Sequence, residues 1–309
     1  MGTGSLTTLE YSATNNSSCL PIESLNMVQL SINQVTSKQW TLEEDAFYYH
    51  KNDFHGAGLW RFKVDDCGEE KTRAILDDNQ LKASSLSFIG GFTGCHGRWE
   101  ENVFDAIKAL NSARDLGAAN VLLHTGSRNR HIQSNARRCV SKAIERILPI
   151  AQEFGIRILL QPMLESVSRQ WNFLHDWESV FEIIDRFPAE SVGFVLNTYH
   201  ASFLSEIWEH LPGRISQLGL VQISDSLSLP RSAKRRDDCL LGQGILMPDH
   251  RLRHLIKAGY NGWVEVELLG PTWGREAYQQ VLEASQQFAT EFVGAVERIE
   301  QRSVKQDVV

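Results

Sequence analysis

Eight short apolar runs, separated by segments of helical periodicity, limit what this chain can fold into more than any other feature. They are VQLSIN (28–33), GAGLWRF (56–62), LKASSLSF (81–88), NVLLH (120–124), IRILLQ (156–161), VGFVLN (192–197), LGLVQIS (218–224) and WVEVELL (263–269). Runs that are apolar almost throughout suit parallel strands covered on both faces. Between them, WEENVFDAIKALNSARDLG places Val103, Ile107, Leu110 and Ala113 on one helical face and stops at Gly117. ARRCVSKAIERILPIAQEFG does the same with Val140, Ile144, Leu148 and Ala151 before Gly155, with Pro149 a candidate kink. DHRLRHLIKAGYNG and REAYQQVLEASQQFATEFVGAVERI give two more helices, whereas those after the first two strands are less distinct. Eight alternations without a break in composition predict a single (β/α)8 TIM barrel over residues 26–300, after a disordered leader (1–25) and before a flexible tail (301–309). An open doubly wound sheet is the alternative, but no GxGxxG follows the first strand. GGFTGCHG (90–97) lacks the GK[ST] of a phosphate loop and reads as a flexible loop, with His96 at the surface.

Charge and cysteine usage narrow the partners. With 31 basic and 38 acidic side chains the net charge is −7, which argues against nucleic acid or an anionic membrane as the main partner. Five scattered cysteines (Cys19, Cys67, Cys95, Cys139, Cys239) without a CxxC suit a reduced, cytoplasmic protein better than a disulfide or zinc framework. No window is apolar and long enough to span a membrane. The sequence leaves homo-oligomerisation open.

In α/β barrels the chemistry sits at the carboxyl ends of the strands. Here those ends carry amides: Gln161 closes ILLQP, and Asn197 opens the polar part of VGFVLNTYH, followed by His200. The segments GIRILLQP, VGFVLNTYH, the pair LVQISDS and LLGQGIL, the closing AGYNGWVEVELLG and the WRFK after strand two together resemble the sugar phosphate isomerase/epimerase family. The resemblance is to its xylose isomerase-like TIM barrel and covers roughly residues 27–295. It implies a small sugar-like or polyol ligand. In such relatives a divalent cation is held by a Glu after strand five, an Asp after strand six, a His on strand seven and a Glu after strand eight. The matching positions here are Gln161, Asn197, Gln222 and Glu267, so three ligands are amides. His200 and Asp225 match further active-site positions of the family. Its Asp-Arg before a Gly-x-Gly loop is matched by Asp237-Asp238, with Arg235 and Arg236 just upstream.

A hard dication wants anionic oxygens, and neutral amides serve only as auxiliary ligands. The pattern therefore predicts no tight metal and no other cofactor. An amide keeps the shape of a carboxylate while removing charge and adding two donors. Two readings follow: a polar pocket rebuilt to work without a metal, or a remnant in which the amides merely satisfy one another. On the first, Glu267 is a general base, His200 or His124 its acid partner, and Gln161, Asn197, Gln222, Asp225, Lys63 and Arg236 bind substrate. His124, ending LLHTGS, reads equally as base, substrate hydrogen bond or satisfied strand-end histidine. Lys63 anchors an anionic group or is simply exposed. Trp40, Trp60, Trp99 and Trp263 are core residues or stacking platforms. Without a cation, desolvation should raise the Glu267 pKa and leave it the unpaired base a metal-free enzyme needs. If His200, Lys63 or an arginine of the 231–236 loop approaches instead, a Glu267 locked in a salt bridge in a plugged mouth suits a remnant or binding module. The first is expected. Three functions result: a metal-independent isomerase, epimerase or lyase; a non-catalytic metabolite-binding protein; and a nuclease of the endonuclease IV type. The last needs many His/Asp/Glu metal ligands that the chain lacks. The retention of Glu267, His200 and Asp225 favours the first over the second.

Overall fold

The computed structural model describes residues 29–94, 97–202, 204, 206–228, 236–269 and 273–306; the leader, His96 and Arg235 lie outside them. The strands are β1 (Gln29–Asn33), β2 (Gly56–Trp60), β3 (Lys82–Gly90), β4 (Asn120–His124), β5 (Arg157–Leu160), β6 (Val192–Asn197), β7 (Leu218–Ile223), β8 (Asp225–Ser226), β9 (Asp238–Cys239) and β10 (Trp263–Val266). Eight of them close into a parallel barrel in the order β1-β10-β7-β6-β5-β4-β3-β2, the single (β/α)8 barrel expected from the sequence. β8 and β9 pair antiparallel as a small ribbon outside it, and Arg236 lies just before β9.

Helices cover the barrel because each strand's outward residues need an apolar partner. The helix Trp99–Asp115 buries Val103, Leu110 and Ala113, and Gly117 follows at φ +70°. The helix Gln133–Glu153 buries Val140, Ile144 and Ala151, runs through Pro149 and is followed by Gly155 at φ +66°. After β1, the helix Leu42–Lys51 starts at Thr41, whose side chain accepts from the Glu44 N–H while Glu44 accepts from the Thr41 N–H. The final helix, Tyr278–Gln306, runs into the stretch expected to be a tail. Among the described residues no helix is long and apolar enough to cross a membrane.

Inside the barrel a second, smaller core forms. Leu122, Leu159, Val195 and Leu220 pack together with Phe88 and Trp263 as an apolar floor. With a period of two, the same strand faces place His124, Gln161, Asn197 and Gln222 one step nearer the mouth, and β10 continues through Glu265 to Glu267. Of the other tryptophans, Trp40 is buried against Tyr48 and Tyr278, and Trp99 donates to the Cys139 carbonyl.

Candidate active site

The expected mouth residues form one continuous network. Gln222 Nε2 donates to Glu265 Oε1 at 2.9 Å, which turns Gln222 Oε1 toward Asn197 Nδ2 (3.1 Å) and Gln161 Nε2 (3.3 Å). Asn197 Oδ1 accepts the backbone N–H groups of Tyr199 (3.0 Å) and His200 (3.4 Å), capping the short helix Thr198–Ala201. That leaves Asn197 Nδ2 to donate to Glu267 Oε2 at 2.8 Å. Each amide orientation is thus assigned by its partners.

Glu267 does not stand alone. Arg236 Nη1 donates to the same Oε2 at 2.8 Å, and Nη2 donates to the Glu267 carbonyl at 3.1 Å. Asp238 holds the other side of the guanidinium, accepting from Nε at 3.1 Å and from Nη2 at 2.7 Å, and the Tyr199 ring lies 4.4 Å from its carbon. Burial opposes the Arg236 charge, but Asp238 and Glu267 outweigh burial and hold it protonated. The lone, desolvated Glu267 that a missing cation would leave is therefore not what forms, because an arginine of the 231–236 loop reaches it.

A second carboxylate, Glu265, lies fully buried one step below. It accepts from Asn33 Nδ2 (2.6 Å), Gln222 Nε2 (2.9 Å), Ser84 Oγ (2.8 Å) and Ser85 Oγ (2.9 Å). Burial raises its pKa and these donors oppose the rise. Two consecutive serines reach it because the β2–β3 register shifts between Ala57 and Gly58. Gly58 leaves the space, since a Cβ there would sit 2.2 Å from the carboxylate. Sequence reasoning passed over Glu265, although the alternation in WVEVELL puts it on the same face as Glu267.

Both histidines are neutral. His200 Nδ1 accepts the Leu164 N–H at 3.3 Å, so its proton sits on Nε2, which is buried and has no partner among the described residues. Burial, then the nearby Arg236 and His124, push its pKa well down. His124 stacks on Phe88 at 3.6 Å, and its Nε2 is also buried with no partner among the described residues. It borders a cavity of about 520 Å³ whose lining includes Arg61, Phe62, Asn102, Asp105 and Trp171. The rings of Phe62 and Trp171 are exposed at the rim, and Arg61 is held by Asp105 through two 2.8 Å hydrogen bonds. Burial pushes the His124 pKa to about 3, with Gln161 partly offsetting. A folded-state pKa below the unfolded value of about 6.5 means the unfolded chain binds the extra proton. The stability conferred by neutral His124 is therefore complete above about 6.5 and lost on acidification, by about 2 kcal/mol at pH 5. Denaturant titrations should show this slope in the wild type and a shallower one in His124→Asn.

Two expected ligand-binding residues are used elsewhere. Lys63 lies between outer helices, donating to Asp45 (2.5 Å) and to the Ser37 carbonyl (2.9 Å), rather than offering its charge to the mouth. Asp225 is fully buried and accepts the backbone N–H groups of Ser226, Gly242, Gly244 and Leu246 at 2.9–3.0 Å, so it shapes the loop after the ribbon. Both departures have one cause: a buried charge takes the donors or acceptors nearest to it. Among the described residues no three His, Cys, Asp or Glu converge as a metal-ligand set.

A closed barrel with this mouth defines a class, and comparison of the chain with known proteins agrees. Residues 45–288 match the family described as xylose isomerase-like TIM barrel, and the chain belongs to it. Among similar proteins is the inosose isomerase of Halalkalibacterium halodurans, 21% identical over 276 residues, which cover 86% of this chain and 96% of that protein. The structure of protein SMc04130 from Sinorhizobium meliloti 1021 superposes with a TM-score of 0.75 at 22% identity, covering 85% of this chain and 98% of that one. The IOLI protein, solved with a binding zinc atom, gives a TM-score of 0.71 at 18% identity, covering 87% of this chain and 98% of that one. At these identities the solved structures speak to the fold alone.

Proposed function

We propose that this chain is an isomerase or epimerase of a sugar or polyol that moves a proton beside a carbonyl without a divalent metal. Membership of the family and the likeness to a protein named inosose isomerase support a sugar-modifying activity. Metal independence rests on the direction of the amides. A dication would need their oxygens. Yet Asn197 turns its N–H toward Glu267 and spends its oxygen on a helix cap, while Gln222 Oε1 is shared by two amide donors. Arg236 already brings positive charge to Glu267. This donor set does not fit a hard cation.

The same groups suit proton transfer. Among the described residues Glu267 receives its side-chain donors on Oε2, so Oε1 is left to take a proton from carbon. His200, neutral with its Nε2–H unpartnered among the described residues, can stabilise the developing oxyanion as a hydrogen-bond donor; it need not give its proton away. That refines the acid expected from the sequence. Phe62 and Trp171 stand at the rim of the cavity beside His124, whose lining does not include Glu267 or His200. A second reading, non-catalytic binding of the same ligands, is favoured by the Glu267–Arg236 ion pair, which ties up the base.

Chelator-treated wild type incubated in D2O with inososes, keto-sugars and their phosphates separates the readings. Deuterium should enter the carbon beside the carbonyl of at least one compound with no metal added. Binding without exchange would favour the second reading, and exchange only after manganese or zinc is supplied would overturn metal independence.

A further inference from the structure

We propose that the guanidinium of Arg236 is the built-in cation of this pocket: it takes the electrostatic place of a divalent ion against Glu267 and binds the substrate oxygen through its remaining N–H. The inference rests on the metal-independent reading above and assigns the electrophile that reading lacks. A guanidinium has five N–H donors. Four are engaged, Nε and one Nη2 hydrogen by Asp238, the other Nη2 hydrogen by the Glu267 carbonyl, and one Nη1 hydrogen by Glu267 Oε2. Among the described residues the second Nη1 hydrogen has no acceptor.

The placement is that of a fixed, pre-oriented charge. The Arg236 side chain is 9% exposed, with Asp238 completely buried on one flank and Glu267 on the other. The bidentate grip of Asp238 and the Tyr199 ring stop the guanidinium from rotating. Arginine suits this use because its charge is permanent and its fork is planar. Asn197 completes the arrangement by donating to the same Glu267 oxygen as Arg236, which directs Oε1 away from both donors.

In the proton step, Glu267 Oε1 takes the hydrogen from the carbon beside the carbonyl. The C–H electron pair becomes the C=C bond of an enediolate, and the carbonyl π pair moves onto oxygen. Arg236 Nη1–H and His200 Nε2–H hold that negative oxygen. The hydroxyl hydrogen of the neighbouring carbon then passes to the enediolate oxygen, and Glu267 returns its proton to the former carbonyl carbon. The neighbouring oxygen becomes the new carbonyl, the carboxylate is restored and no co-reactant is consumed.

The test does not require the substrate. Arg236→Ala would leave Glu267 and Asp238 facing one another with no cation, and the variant should seek one. Calorimetric titration with Mn2+ is expected to show binding at least ten-fold tighter in Arg236→Ala than in wild type. Methylguanidinium should raise the melting temperature of the variant, leave wild type unchanged and compete with Mn2+. Arg236→Gln should behave likewise. If neither variant folds in plain buffer, both should fold when refolded with methylguanidinium; failure to do so overturns the inference. Folded variants that gain no Mn2+ affinity, or that methylguanidinium does not stabilise, overturn it as well. Mn2+ bound by wild type as tightly as by the variants would bring down the metal-independent reading itself. Weak binding by all three removes only the assignment of Arg236.

Discussion

Lys63→Met is expected to lower folding stability by about 3–5 kcal/mol at pH 7, because it strips the counter-ion from a buried carboxylate. Lys63 Nζ lies 2.5 Å from Asp45 Oδ2, and Asp45 also accepts from Ser37 Oγ at 2.6 Å. Burial raises the Asp45 pKa, with Lys63, Ser37 and Tyr49 pulling it back. Burial likewise lowers that of Lys63, against the pull of Asp45. Methionine keeps much of the lysine stem's packing and removes the charge, so the loss reports the unpaired Asp45. The sign of the pH dependence follows. Without Lys63 the folded pKa of Asp45 rises further, so the variant takes up on folding a proton that the wild type does not, and its deficit should narrow as the pH falls. Lys63→Met with Asp45→Asn should recover most of the loss, since removing both charges leaves no uncompensated ion. Urea midpoints at pH 7 and pH 5 for wild type, Lys63→Met and the double variant test this. A deficit under about 1 kcal/mol at pH 7 would mean that the pair behaves as a solvated surface bridge.

The barrel was legible because strands buried on both faces read as apolar runs. NVLLH and VGFVLN match β4 and β6 at both ends. The second run failed at its end: β2 stops at Trp60, and Arg61 opens a helix on which the apolar Phe62 is exposed. The helix Leu42–Lys51 was indistinct because its apolar stripe is weak, although Thr41 and Glu44 at capping-box spacing were available as a start signal.

Positions in the mouth were legible, but the directions of their donors were not. Period two places Gln161, Asn197, Gln222 and Glu267 around one opening. Whether Asn197 shows the mouth an oxygen or a nitrogen depends on its capping of Thr198–Ala201, a local contact that apolar periodicity does not encode. Arg236 reaches Glu267 across 31 residues of sequence, and Lys63 meets Asp45 across 18. Asp225 finds its backbone donors only once the loop carrying Gly242, Gly244 and Leu246 folds over it. Charges without a periodic signature were therefore the residues most easily misassigned.

We propose Glu267 as the base of a metal-free proton transfer. Glu267→Gln keeps the side chain's size and removes its charge and basicity. The Asn197 and Arg236 donors can still be met by the amide oxygen, so the ligand site should survive. Positioned general bases contribute about 10²–10⁴-fold to rate. The decisive measurement is deuterium uptake from D2O into a ligand that both proteins bind, followed by NMR with chelator present. Uptake by wild type is expected, with a fall of about a thousand-fold in Glu267→Gln and ligand affinity changed by no more than a few-fold. Equal binding with no uptake by either protein, or uptake undiminished in Glu267→Gln, would contradict it.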